Sequence, residues 1–166
     1  MTEETAGSGT VRRTRSGGEG VLTRHFDHPR EAVWALMTTA DGIAQWIAPG
    51  TFEPHEGGRV HIDFADSGVV IDSTLLPFEP PELLGYSWSS GDEPERPLLW
   101  ELAEEDGGTR LTLTVTLPQG EDIAKACAGF DAHLDMLAGA LEGVPMKFPF
   151  ETYLAARKAY QAQLGD

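Results

Sequence analysis

The chain has 166 residues, with 12 Lys and Arg against 27 Asp and Glu, for a formal net charge of −15. That length fits one domain with a core of its own, and 40% hydrophobic against 23% charged residues is a globular rather than a disordered composition. A single Cys excludes a disulfide framework or a CxxC site within the chain, no apolar run reaches membrane-span length, and the acidic charge argues against nucleic acid as a partner.

Residues 1–9 are small and polar and read as a disordered tail. The N-terminus lacks the apolar stretch of a secretory signal, so a cytoplasmic location is expected. Residues 10–166 read as one domain. Thr10 to Arg15 forms a short first strand, and the Arg12, Arg13, Arg15 cluster on it reads as a solvated edge. Ser16 to Gly20 is a turn by composition, and Val21 to Phe26 is a stronger strand.

Asp27 or His28 then caps a helix with Pro29 in its first turn. Val33, Leu36 and Met37, with Trp34 beside them, give it an apolar face ending near Thr39. Asp41 caps a second short helix, DGIAQWI, stopped before Pro49.

Strand signals follow. Val60, Ile62 and Phe64 alternate with Arg59, His61 and Asp63. Val69 to Leu76 is rich in β-branched residues. Leu84, Tyr86 and Trp88 share one face of the next run, and Leu98, Trp100 and Leu102 one face of the run after it. Arg110 to Leu117 alternates Leu111, Leu113, Val115 and Leu117 against Thr112, Thr114 and Thr116. Asp106-Gly107-Gly108 before it is a hairpin turn. The spacing predicts an antiparallel meander with one buried face.

The last third is helical. In residues 121–141, Ile123, Cys127, Phe130, Leu134, Leu137 and Leu141 fall within a stripe roughly 80° wide at about 100° per residue. Gly143 closes that helix. Pro145 and Pro149 mark a loop, and residues 151–164 form a C-terminal extension helix carrying Tyr153, Leu154, Tyr160 and Leu164. The order of elements predicts an α+β helix-grip fold. A curved antiparallel sheet wraps around the long C-terminal helix, with two short helices after the first main strand. Such a sheet cannot close-pack against its helix everywhere, and a cavity between them is expected.

Several stretches resemble a known superfamily. HPREAVWALMTTADGIAQWIAP carries Pro29, Val33-Trp34, Gln45-Trp46 and Ala48-Pro49. GGRVHIDF at 57–64, PPELLGYSW at 80–88 and GGTRLTLTV at 107–115 follow. GFDAHLDMLAGALEG at 129–143 has Phe130 where Trp is commoner. Together they resemble the START-like, or SRPBCC, superfamily, in the branch related to the C-terminal domain of the activator of the heat-shock-protein-90 ATPase. The resemblance covers residues 10–164. It implies a helix-grip fold and leaves function open, since the superfamily includes lipid carriers, polyketide cyclases, oxygenase subunits and co-chaperones. The full co-chaperone carries an additional domain for which 166 residues leave no room.

No catalytic signature is present. His55-Glu56 begins like HExxH, but Gly57 and Gly58 break the helix and Arg59 replaces the second His. His25 and His28 read as surface residues. His61 and Asp63 share a strand face opposite the apolar one and read as solvated, with an acid–base pair as the sharper alternative. No metal site and no cofactor are expected. His133 falls beside the apolar stripe, at the border of the expected cavity, and reads either as a boundary histidine hydrogen-bonded to backbone or water or as a polar contact to a ligand. Cys127 reads as a buried small hydrophobe.

The cavity-lining candidates are Trp46, Phe64, Tyr86, Trp88, Trp100, Phe130, His133, Leu134 and Leu137, with core packing as the alternative for the aromatics. The reading favoured is a cofactor-free module that holds a small hydrophobic or amphipathic molecule between sheet and helix, acting as a monomer or homodimer. Its alternatives are a polyketide cyclase or aromatase-like enzyme and a co-chaperone-like protein-interaction domain.

Overall fold

A computed structural model describes residues 7–165. Residues 1–6 of the expected tail lie outside them. The next glycines are held: the Gly7 N–H donates to the Asp131 carboxylate at 3.0 Å, and Gln163 Nε2 donates to the Gly9 carbonyl at 2.7 Å.

Strands β1 (Thr10–Thr14) and β2 (Gly17–Phe26) form a hairpin around Arg15 and Ser16. The stretch read as a turn, Ser16 to Gly20, is therefore mostly strand. Its glycines serve packing. A Cβ on Gly18 would sit 2.9 Å from Ile123 Cβ, and one on Gly20 would sit 2.3 Å from Cys127 Sγ. Side chains there would push the long helix off the sheet.

Helix α1 (Arg30–Thr38) begins after Pro29 with no side-chain cap, rather than being capped by Asp27 or His28. Helix α2 (Ala40–Trp46) is capped by Thr39, whose hydroxyl accepts from the Gly42 N–H at 2.9 Å. Thr39 is extended (φ −126°, ψ 152°), the backbone geometry a cap needs. Asp41, expected as the cap, lies inside the first turn.

The strands divide between two antiparallel sheets. β3 (Gly50–Phe52), β4 (Arg59–Asp63) and β5 (Val70–Thr74) make the smaller one, in that order. β6 (Phe78–Glu79), β7 (Leu83–Ser87), β8 (Pro97–Glu105) and β9 (Gly108–Pro118) join the first hairpin in the order β1-β2-β9-β8-β7-β6. The Asp72 N–H donates to the Ser89 carbonyl at 3.0 Å and the Ser87 N–H to Ser73 Oγ at 2.9 Å, stitching the small sheet to the large one. Asp106 and Gly107 both take positive φ, 49° and 78°, as a two-residue type I′ hairpin turn requires. The inner face buries Leu84, Leu98, Trp100, Leu111, Leu113 and Val115.

Helix α3 (Ile123–Leu141) crosses the curved sheet. Asp122 caps it by accepting from the Lys125 N–H at 3.0 Å, and Gly143 follows its last turn at φ 72°. Ile123, Cys127, Phe130, Leu134 and Leu137 of the stripe are buried. This is the α+β helix-grip architecture. Helix α4 (Phe150–Leu164) packs on α3 and β1 through Ala156 and Tyr160.

A buried polar knot joins these layers. Arg24 of β2 donates to Asp131 at 3.1 Å and to Asp135 at 2.8 Å, and the Tyr160 hydroxyl donates to Asp131. Burial raises the Asp131 carboxyl pKa, against the pull of Tyr160, Gly7 and Arg24. Among the described residues, no helix is long and apolar enough to cross a membrane.

Candidate functional site

A cavity of about 610 Å³ lies between α3 and the sheet, within the range of small-molecule pockets. Ala126, Gly129, Phe130 and His133 form its helical wall. Leu98 of β8 and Val115 and Leu117 of β9 form the floor. Phe64, Ser67 and Val69 approach from the link between β4 and β5, and Phe148 and Tyr153 from beyond α3.

Two features keep the space open. The sheet curves away from the helix, and the helical wall is built small. Gly129 sits in the middle of α3, where glycine costs about 1 kcal/mol relative to alanine. A Cβ there would meet no atom within 4 Å. Gly139 differs: its Cβ would lie 2.8 Å from the Val144 carbonyl oxygen. Close approach explains Gly139, whereas Gly129 faces empty volume.

Six rings circle the cavity in an unbroken series. Phe130 meets Trp88 at 5.1 Å between centroids, and Trp88 meets Phe64 at 5.8 Å. Phe64 meets His133 at 6.0 Å, His133 meets Phe148 at 5.5 Å, and Phe148 meets Tyr153 at 5.9 Å. Four of these five contacts are edge-to-face, with interplanar angles of 67–70°, the favoured geometry for rings.

His133 is the belt's imidazole. Its Nδ1 lies 2.8 Å from the Trp46 carbonyl oxygen. A carbonyl only accepts, so Nδ1 carries the proton and Nε2 of the neutral ring is a lone-pair acceptor. Burial lowers the imidazole pKa, partly offset by that hydrogen bond, which keeps the ring neutral at pH 7. Among the described residues, no protein group bonds to Nε2.

Charge collects at the other end, near the start of α3. Arg96 forms a forked pair with Glu121 at 2.7 and 3.0 Å and donates to the Trp88 carbonyl at 3.1 Å, fixing the loop that presents Trp88. Lys125 lines the same end. Eight residues along a helix place it about 12 Å from His133.

The structure thus brings Phe64, Trp88, Phe130 and His133 together around the cavity. Trp46, Tyr86, Trp100, Leu134 and Leu137 are buried outside its lining. Trp46 Nε1 donates to the Leu36 carbonyl at 2.7 Å, and its ring packs edge-on against Trp100 at 5.7 Å. Burial pushes the Tyr86 phenol pKa well above its ordinary range. Alternation tells which face of a strand points inward, and not whether helix or empty space lies over each position.

Gly129, Val69, Arg96, Phe148 and Tyr153 were not among the candidates. Phe148 follows α3 between Pro145 and Pro149, and Tyr153 lies in the first turn of α4. Their visible signal is aromatic density, three rings (Phe148, Phe150 and Tyr153) in Lys147 to Tyr153.

The other histidines lie outside the cavity lining. His61 Nδ1 is 4.0 Å from Asp72 across the strand pair, beyond hydrogen-bond reach, and is buried without a hydrogen-bond partner among the described residues, while Asp63 accepts from the Ala65 N–H at 2.8 Å. His25 meets the Glu105 carbonyl at 2.9 Å, and His28 meets Glu142. Burial pushes the Cys127 thiol up to about 12, which leaves it inert as a nucleophile. Among the described residues, no three His, Cys, Asp or Glu are grouped to hold a metal ion.

Residues 27–142 match the family described as Activator of Hsp90 ATPase homolog 1-like protein. No curated protein matches the chain. The fold is similar to that of CalU16 from Micromonospora echinospora, at 21% identity and a TM-score of 0.75, covering 96% of this chain and 97% of that one. DynU16, from the dynemicin biosynthetic locus, is 29% identical, with a TM-score of 0.69 over 75% of this chain and 48% of that one. The Aha1 dimer from Colwellia psychrerythraea is 18% identical, with a TM-score of 0.66 over 74% of this chain and 94% of that one.

Proposed function

The chain belongs to the family of activator of Hsp90 ATPase homolog 1-like proteins, and on that premise we propose that it is a binding module for a small hydrophobic or amphipathic molecule held between α3 and the sheet. The observation that carries this reading is the cavity of about 610 Å³ walled by aromatic rings, with nothing opposite Gly129. Each 100 Å² of apolar ligand surface buried there contributes about 2.5 kcal/mol. A polyketide cyclase-like activity would need a second titrating group near His133. Apart from the Tyr153 phenol, the lining there is without titrating side chains and the charged groups lie at the far end, so the geometry favours binding over proton transfer.

Mass spectrometry of the natively purified protein tests this. A discrete extra mass that disappears on denaturation supports the proposal, and so does a bare protein that takes up an added apolar probe one to one. A bare protein that takes up no probe overturns it. The exposed side chains Val144, Met146, Phe150 and Leu154, grouped around the end of α3 and the start of α4, would then favour a protein-interaction role.

A further inference from the structure

We infer that the cavity selects a flat, unsaturated molecule bearing a hydroxyl, phenol or enol that donates a hydrogen bond to Nε2 of His133. This inference rests on the binding role proposed above and specifies the chemistry of the occupant.

Three observations lead to it. The first is the tautomer. Nδ1–H donates to the Trp46 carbonyl oxygen at 2.8 Å, so the other ring nitrogen of His133, Nε2, is an acceptor and not a donor. The second is what Nε2 lacks. None of the described protein groups bonds to it, although its ring is a wall of the cavity. An occupant that brings a donor satisfies this lone pair, and one that brings only an acceptor or a methyl leaves it unpaired and cut off from water. Tyr153 and Ser67 also line the cavity, but a hydroxyl both donates and accepts, so each tolerates either partner. Discrimination falls to His133.

The third observation is the shape of the wall. The ring series from Phe130 through Trp88, Phe64, His133 and Phe148 to Tyr153 presents π faces and edges toward the space. A flat unsaturated body completes such edge-to-face and stacked contacts, whereas a puckered saturated one of equal size cannot. Ligand charge is not called for at His133, because Lys125 lies about 12 Å along α3 and Arg96 is paired with Glu121.

The test uses three probes of one size: beta-naphthol, its methyl ether, and the fully saturated decalin alcohol. Binding is read from tryptophan fluorescence, since Trp88 lines the cavity. In the unaltered protein, beta-naphthol binds about tenfold tighter than the ether, and tighter than the decalin alcohol. His133→Asn keeps a donor toward the Trp46 carbonyl but is too short to place its amide oxygen where Nε2 stood, so the naphthol-to-ether ratio falls to near one. His133→Gln returns an amide oxygen to the position of Nε2 and restores part of the ratio. Melting curves establish that both variants are folded. Equal binding of naphthol and ether by the unaltered protein overturns the inference while leaving the binding role intact. A tenfold ratio that survives in folded His133→Asn also overturns it. Binding of none of the three overturns the cavity reading and this inference with it.

Discussion

Gly129 offers the sharpest separation of ligand space from packing space. In an ordinary core, adding a methyl group to a well-packed site costs about 1–3 kcal/mol through strain. At Gly129 the new carbon meets no atom within 4 Å, so that cost vanishes and the helix gains alanine's propensity. Gly129→Ala therefore stabilises the protein by about 0.5–1 kcal/mol, which raises the melting temperature by about 1–4 °C for a domain of this size. Gly129→Leu goes further along the same direction. Its side chain enters the cavity between Phe130 and His133, so it stays within about 1 kcal/mol of the alanine variant in stability and loses apolar-probe binding by at least about tenfold. Urea unfolding of the three proteins gives the stabilities, and fluorescence titration gives the binding. A destabilised Gly129→Ala would refute the reasoning, because it would mean that the space opposite the helix is already filled.

Other perturbations address the frame around the site. Arg24→Met leaves Asp131 buried beside Tyr160 without its cation and should cost about 3–5 kcal/mol in urea unfolding; a change under about 1 kcal/mol would show that the knot contributes little. Gly20→Ala brings a methyl to 2.3 Å from Cys127 Sγ and should cost about 1–3 kcal/mol. Most of that loss should disappear when Cys127→Ala is added, and strict additivity would place the clash elsewhere. His133 has its pKa lowered from 6.5 by burial. Below that value the unfolded chain binds more protons than the folded one, so this contribution to stability is present above 6.5 and is lost as pH falls toward the folded value. Urea midpoints taken downward from about pH 7.5 should therefore decline less steeply in His133→Asn than in the unaltered protein, and parallel declines would remove His133 from the account.

The elements that were legible in the sequence were those whose periodicity answers to a buried face. The stripe Ile123, Cys127, Phe130, Leu134, Leu137 is buried as its spacing requires, and Val60 with Ile62 and Leu111 with Leu113 and Val115 follow the strand period. Short elements carry too few repeats to be seen: β3 spans three residues and β6 two. The glycines of β2 misled because composition associates Gly with turns, while here Gly18 and Gly20 make room for α3. The cavity was only half legible for a related reason. A sequence pattern says which side chains face inward, so Trp88 and Trp100 look alike. Their fates differ because α3 and the rings around it cover Trp100 and leave Trp88 beside open volume. Arg24 and Asp131 lay outside any apolar pattern, since burial of an ion pair depends on elements 107 residues apart in the chain.

The central claim is that the space between α3 and the sheet is a binding site. Titrating a neutral apolar fluorophore, phenylnaphthylamine, into the unaltered protein and Gly129→Leu tests it most directly. Saturable one-to-one binding in the first, weakened at least about tenfold in an equally stable second, is the result expected. Equal binding by both proteins, or no saturable binding by the first, would contradict the account.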